Sequence, residues 1–326
     1  ADELANLGVR VANLEKKVGN ISWSGDARMQ YQHNLASRTE HADTWNGRMR
    51  INVEGQVNDQ VTVNGRFVNE MDFKDGDSSD TSMDRINAKW TPNDATYVTI
   101  GRQGVALDVT GTFWDEDAVF DGVAAGWDNG KVGVEAGYGR FKSAENEGEG
   151  WSAQDKTEAW YGKLTGHIAD AADVSAFYLK NAQKQDQGAQ VGENASAWGA
   201  GLSYGIGDFT VDGDYVKTQN TQAGDAALWT AGLTYGEVDT DKVGSWSLGA
   251  HYVKADKGSM FLGCSALDLG DQLGYANDTN VKFWVAKAGV AVQKNVELDA
   301  YYNFAAKADE GEDPEDTWGI ELNYAF

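Results

Sequence analysis

The chain of 326 residues contains one cysteine, Cys264. No intrachain disulfide can form, and a lone thiol fits an exported protein that avoids oxidative pairing. Proline is almost missing, with 2 in the whole chain. No stretch approaches the roughly 20 consecutive apolar residues that a membrane helix requires. That leaves an aqueous protein or a barrel whose lipid-facing residues are diluted by lumenal ones. Basic residues are outnumbered, 27 Lys and Arg against 51 Asp and Glu, for a formal net charge of -24. This balance excludes nucleic acid as a partner, because phosphate binding needs a surplus of Lys and Arg on one face. Histidine is limited to His33, His41, His167 and His251, and neither G-x-S-x-G nor H-E-x-x-H occurs. The nucleophile and positioned base of an embedded hydrolase find no support, so the chain reads as non-enzymatic, without cofactor or bound metal. No signal peptide opens it, as expected of a cytoplasmic protein or of a mature form with the signal removed.

What is abundant is glycine, with 39 residues, and aromatics, with 12 Trp, 13 Tyr and 11 Phe. This is the profile of a long antiparallel meander. From Ile21 to the last residue the hydrophobic period is two. Trp45, Met49, Ile51, Val53 and Val57 fall on one face of a pleated strand, and Asn46, Arg48, Arg50, Asn52 and Glu54 on the other. Trp229, Leu233 and Tyr235 repeat the split, as do Leu298, Tyr302 and Phe304. The pattern predicts sixteen strands near 21-33, 44-57, 61-71, 83-91, 97-104, 119-128, 131-142, 156-168, 173-182, 195-205, 208-218, 226-237, 243-254, 279-293, 295-305 and 316-326. Their connections alternate. Short ones include Asn129-Gly130 and Lys294-Asn295, while 74-82, 142-155, 255-278 and 307-315 are long, polar and acidic. The expected fold is an all-β transmembrane antiparallel barrel of about sixteen strands, tight turns on one side and long loops outside. At that strand number the lumen holds water, whereas about eight strands leave it filled by side chains.

Residues 1-19 differ from the rest. Leu4, Leu7, Val11, Leu14 and Val18 recur at spacings of three and four, the seam of a short coiled-coil stalk. Arg10 at g and Glu15 at the following e can form an interhelical salt bridge, and Val at a with Leu at d leans towards dimers. The division is therefore a stalk over 1-19 and a barrel over 20-326.

Arg28, Arg48, Arg50, Arg66 and Arg85 are directed to the lumen from the first four strands, which gathers guanidinium groups on one patch of wall. Arg102 follows on the fifth, although Val98 and Ile100 share its parity. The connection that follows carries Asp108, Asp115, Glu116 and Asp117, with Asp121 just beyond. The motifs VTIGRQG and FWDEDAVFDGVAAGW resemble those of the general diffusion porins. That resemblance implies that the third loop folds into the lumen and sets these five acids against the arginine wall, creating a transverse field that sorts solutes by charge and dipole.

Trp318, Ile320, Leu322, Tyr324 and Phe326 share one face of the last segment. The terminal pattern resembles the signal read by the barrel-assembly machinery. The stalk followed by ISWSGDARMQYQ is similar to the OmpM-type stalked porins of diderm Firmicutes such as Veillonella and Selenomonas. In those a surface-layer-homology module ties the outer membrane to peptidoglycan, and no such module is present in this sequence. The resemblance implies a homotrimer in the bacterial outer membrane, its stalk in the periplasm, surrounded by lipid and passing small hydrophilic solutes and ions. The alternative expectation is an envelope-tethering protein that uses residues 1-19, with conduction secondary.

Overall fold

A computed structural model describes residues 19-34, 43-78, 80-142, 157-168, 171-182, 194-262 and 270-326. The stalk seam, residues 4 to 18, and Cys264 lie outside the described residues. The period-two pattern is realised as sixteen strands: β1 (Ile21–Asn34), β2 (Thr44–Asn58), β3 (Val61–Asp72), β4 (Ser82–Trp90), β5 (Thr96–Gln103), β6 (Val119–Asp128), β7 (Val132–Lys142) and β8 (Thr157–Ile168) form the first half. The second half is β9 (Ala172–Asn181), β10 (Ser196–Ile206), β11 (Phe209–Thr221), β12 (Gly224–Gly236), β13 (Trp246–Ala255), β14 (Val281–Gln293), β15 (Val296–Ala308) and β16 (Thr317–Ala325). Each strand pairs antiparallel with its sequence neighbours. Pairing of β1 with β16, from Asp26 opposite Ala325 to Asn34 opposite Thr317, closes the sheet and leaves no free edge.

Alternation decides which side meets what. Trp23 is 66% exposed and Trp160 60%, with Met49, Ile100, Leu164 and Leu248 similarly uncovered. Exposure of one such side chain to water costs about 2 kcal/mol, so an outer surface made of dozens of them requires a non-aqueous neighbour. The residues between them face inward: mostly polar on β1 to β4, they include buried apolar side chains such as Phe177, Leu179 and Val216 further round. No helix among the described residues is long and apolar enough to cross a membrane.

Turn chemistry closes the hairpins. At the β6–β7 connection Asn129 Oδ1 accepts from the backbone of Lys131 and Val132, both at 2.9 Å, and Gly130 takes φ +81°, a conformation that L side chains rarely adopt.

One connection departs from expectation. The segment between β13 and β14, read as a long external loop, turns into the barrel. Met260, Phe261, Leu262, Leu273 and Ala276 are buried, and they pack with the lumenal Val253, Phe283 and Val285. A one-turn helix, Gly270–Gly274, presents Gln272, whose amide donates to Glu315 O and Thr317 Oγ1 at 3.0 Å and accepts from Asn303 at 3.0 Å. Apolar residues in a row inside a polar connection have only the lumenal side on which to escape water.

Candidate functional site

The wall of β1 to β4 gathers guanidinium groups. Arg28 and Arg48 are cross-strand partners, and Asp26 pairs in register with Arg50. Arg50 donates from Nε to Asp26 at 2.9 Å and from Nη1 to Asp117 at 2.7 Å. Arg66 holds Asp84 at 2.6 Å and lies 3.5 Å from Asp117. Arg48 sits 3.7 Å from Asp26, and its buried Nε has no hydrogen-bond partner among the described residues. A register shift beside Arg66 turns both Asp84 and Arg85 inward. Arg85, 8% exposed, reaches beneath the root of the following loop and donates to the carbonyl oxygens of Glu116 and Asp117 at 2.9 and 2.8 Å.

That loop, residues 104-118 between β5 and β6, crosses into the lumen. Gly104 permits its close return: a Cβ there would stand 2.2 Å from Glu116 O. The far end is fastened six strands round the barrel, where Val109 N and Thr110 N donate to the Asp214 carboxylate of β11 at 3.0 and 2.7 Å. Lys163 of β8 donates to Ala106 O at 2.7 Å. Phe113 stacks on Phe177 of β9 with centroids 5.5 Å apart and meets Phe261 edge-on at 6.3 Å. Trp114 contacts the Phe141 ring at 5.3 Å. Leu107, Phe113 and Trp114 are all fully buried. The two inward segments therefore share one apolar block on the side of the lumen away from the arginines.

The acids expected on this loop have separate placements. Asp117 lies against Arg50 and Arg66. Burial alone would raise its carboxyl, but the nearby Arg50, Arg48 and Arg66 outweigh it and hold it below the usual range. Glu116 is exposed, and Asp115 accepts from the backbone of Asp117 and Ala118 at 2.9 and 3.2 Å, fixing the turn. Asp108 is buried and accepts from Phe113 N and Trp114 N at 2.9 and 2.8 Å. Desolvation, then the Asp214 charge, pushes it up to about 7. It braces the loop and does not line the opening.

Arg102 and Asp121 lie elsewhere than the basic wall and acidic loop anticipated for them. They pair bidentately at 2.7 and 2.9 Å, and Arg102 is opposite the outward Ile86 while Asp121 is opposite the exposed Arg140. Their parity puts both on the outer face. At the closing strand, Ile320 and Phe326 are exposed, the Phe326 ring covers Gly25, and Gly25 N donates to Phe326 O at 2.7 Å. Trp318, Leu322 and Tyr324 share the outward parity of Ile320. The fastening residues Asp214, Lys163 and Phe177 escaped sequence reasoning, because each occupies an ordinary lumenal position and its partner is distant in the chain.

No protein-family model matches the chain, and no curated protein matches it in sequence. Solved structures do. Salmonella typhi OmpF, in complex with daunomycin, superposes with TM-score 0.65 at 14% identity over 95% of this chain and 99% of that one. OmpT of Vibrio cholerae in its trimer form gives 0.58 at 14% over 94% and 99%, and a variant of the Rh. blastica porin gives 0.57 at 16% over 94% and 100%. Likeness at this level of identity is likeness of fold, and the fold of this chain is the closed sixteen-stranded barrel of the porins.

Proposed function

We propose that the chain is an outer-membrane channel that passes small hydrophilic solutes and ions by diffusion, assembles as a homotrimer and catalyses nothing. The observation that carries this reading is the 104-118 loop, drawn across a closed, lipid-suited barrel onto a wall of lumenal arginines. Solutes pass through the space between the arginine wall and the loop. Arg28, Arg48, Arg50, Arg66 and Arg85 supply its basic side, and Glu116 and Asp117 its acidic edge. Asp26 and Asp84 neutralise part of the wall, so a local positive surplus faces loops that make the chain acidic overall. Opposed contributions give mild ionic selectivity.

The trimeric form in which Vibrio cholerae OmpT was solved supports self-association here. The outward face of β16 ending in Phe326 is the signal for the barrel-assembly machinery. The stalk expected over residues 1-19, in the manner of the OmpM-type porins, lies outside the described residues but for Gly19; its proposed place is periplasmic, with peptidoglycan attachment requiring a further module. Reconstitution in a planar bilayer tests the reading: a trimeric channel gives stepwise conductance with three equal closing steps under voltage. A preparation that inserts and carries no steps overturns it.

A further inference from the structure

The outer face carries a repeated arrangement on the long-loop side of β7 to β15 that conduction does not use. Tyr138, Trp160 and Lys180 lie in register across β7, β8 and β9. The next two pairs of strands repeat it, with Tyr178, Trp198 and Lys217, then Tyr215, Trp229 and Lys254. Trp160, Trp198 and Trp229 are thus each flanked by a tyrosine on one side and a lysine on the other, while Trp284 lies between Tyr252 and Phe304. Rings touch along the band, Tyr138 with Trp160 at 4.2 Å and Trp229 with Tyr252 at 4.9 Å. The band then ends in three lysines in register on adjacent strands, Lys254, Lys282 and Lys307.

Like charges on neighbouring strands, about 4.8 Å apart, repel unless an anion sits among them. Lys254 is 3.5 Å from Asp256, and Lys307 is held by Asp313 at 2.5 Å. Lys282 between them, and Lys180 and Lys217 further round, have no carboxylate within ion-pair distance among the described residues. The arrangement is one-sided, because β1 to β4 carry no outward Lys or Arg. In a chain of net charge -24 such a grouping of outward cations is not a solubility device. Tyrosine and tryptophan mark the depth at which acyl chains give way to headgroups. A lysine paired in register with such a ring can lay its methylene stem along apolar surface and reach phosphate level with its ammonium.

We propose that this band is a docking surface for phosphate-bearing anionic lipid of the outer leaflet, with the lysines binding headgroup phosphates and the rings seating the upper acyl chains. The proposal rests on the outer-membrane reading above, so conductance is measured on the same preparations to separate the two. Native mass spectrometry of the full chain in detergent compares phosphatidylglycerol with phosphatidylcholine, with inorganic phosphate as competitor. Wild type prefers phosphatidylglycerol, and the triple variant Lys180→Gln, Lys217→Gln, Lys282→Gln loses that preference by about tenfold or more. The corresponding triple Lys→Arg variant keeps it, and all three conduct alike. Equal lipid retention by wild type and the Gln variant overturns the proposal, as does displacement of the lipid by equimolar inorganic phosphate. Loss of conductance in wild type with the lipid preference intact would instead strike the channel reading.

Discussion

Asp117 is the residue on which the charge of the opening turns. It contacts Arg50 and Arg66 at 2.7 and 3.5 Å, ion pairs that join the loop to the basic wall. Removing its charge with Asp117→Asn leaves two guanidinium groups less compensated. A unit charge about 8 Å from a passing ion in a water-like medium is worth roughly 0.5 kcal/mol, with opposite sign for anion and cation, so the anion-to-cation permeability ratio should rise about fivefold. Reversal potentials across a salt gradient read this directly, and an unchanged or lowered ratio would contradict the placement. At this scale the sequence was legible wherever parity was heeded. Four arginines of β1 to β3 alternate cleanly with Met29, Met49 and Phe67 and point into the lumen, whereas Arg85 shares the parity of the outward Met83 and is turned inward by the register shift in β4. Arg102 shares the parity of Val98 and Ile100, and that parity, more than the proximity to the loop acids, describes where it lies. Asp108 could not be sorted by this means, because a loop has no period.

Among the elements, the inward loop is set by two buried carboxylates. Asp108 is raised to about 7 by burial and by Asp214. A carboxyl that is harder to ionise when folded contributes stability that is fully present below its unfolded value near 4 and is lost as pH rises through about 7. The barrel should therefore lose stability between pH 5 and pH 8, on the order of a few kcal/mol, read as a fall in the temperature at which it loses its compact gel mobility. Asp108→Asn should flatten that slope; an equally steep slope in the variant would remove Asp108 as its cause. Phe113, fully buried between Phe177 and Phe261, is the apolar anchor of the same loop. Phe113→Ala forfeits about 3 to 5 kcal/mol of packing, and the loosened loop should raise both open-channel current noise and mean conductance. A variant as quiet as wild type would mean that Asp214 and Lys163 hold the loop without it. Strand existence was readable throughout, and ends went astray where the backbone breaks its own alternation. β15 was expected to stop at 305, where Ala305 takes φ +53°, yet pairing resumes to Ala308. β13 was expected from 243, but Gly244 at φ +91° extends the turn and the strand opens at Trp246.

Taken whole, the molecule was legible as a closed sheet because a period of two, held over most of the chain, can hide from water on only one side of each strand. Its interior was not. The apolar residues 260-262 look like a short greasy interruption in an acidic loop, and only their encounter with Phe113, more than a hundred positions away, gives them a purpose.

That shared block divides the cylinder into two unequal sectors. Strands β8 to β14 are backed by tightly fitted apolar side chains on the inside, whereas β1 to β4 are backed by charged side chains that border the opening. Amide deuteration should consequently run as two clocks in one wall, slow through the padded arc and faster, by an order of magnitude or so, through the wetted one. Mass spectrometry of peptides from each arc, quenched over hours in deuterated buffer, would read both; a single uniform rate around the circumference would mean that the padding does not stiffen the sheet it lines.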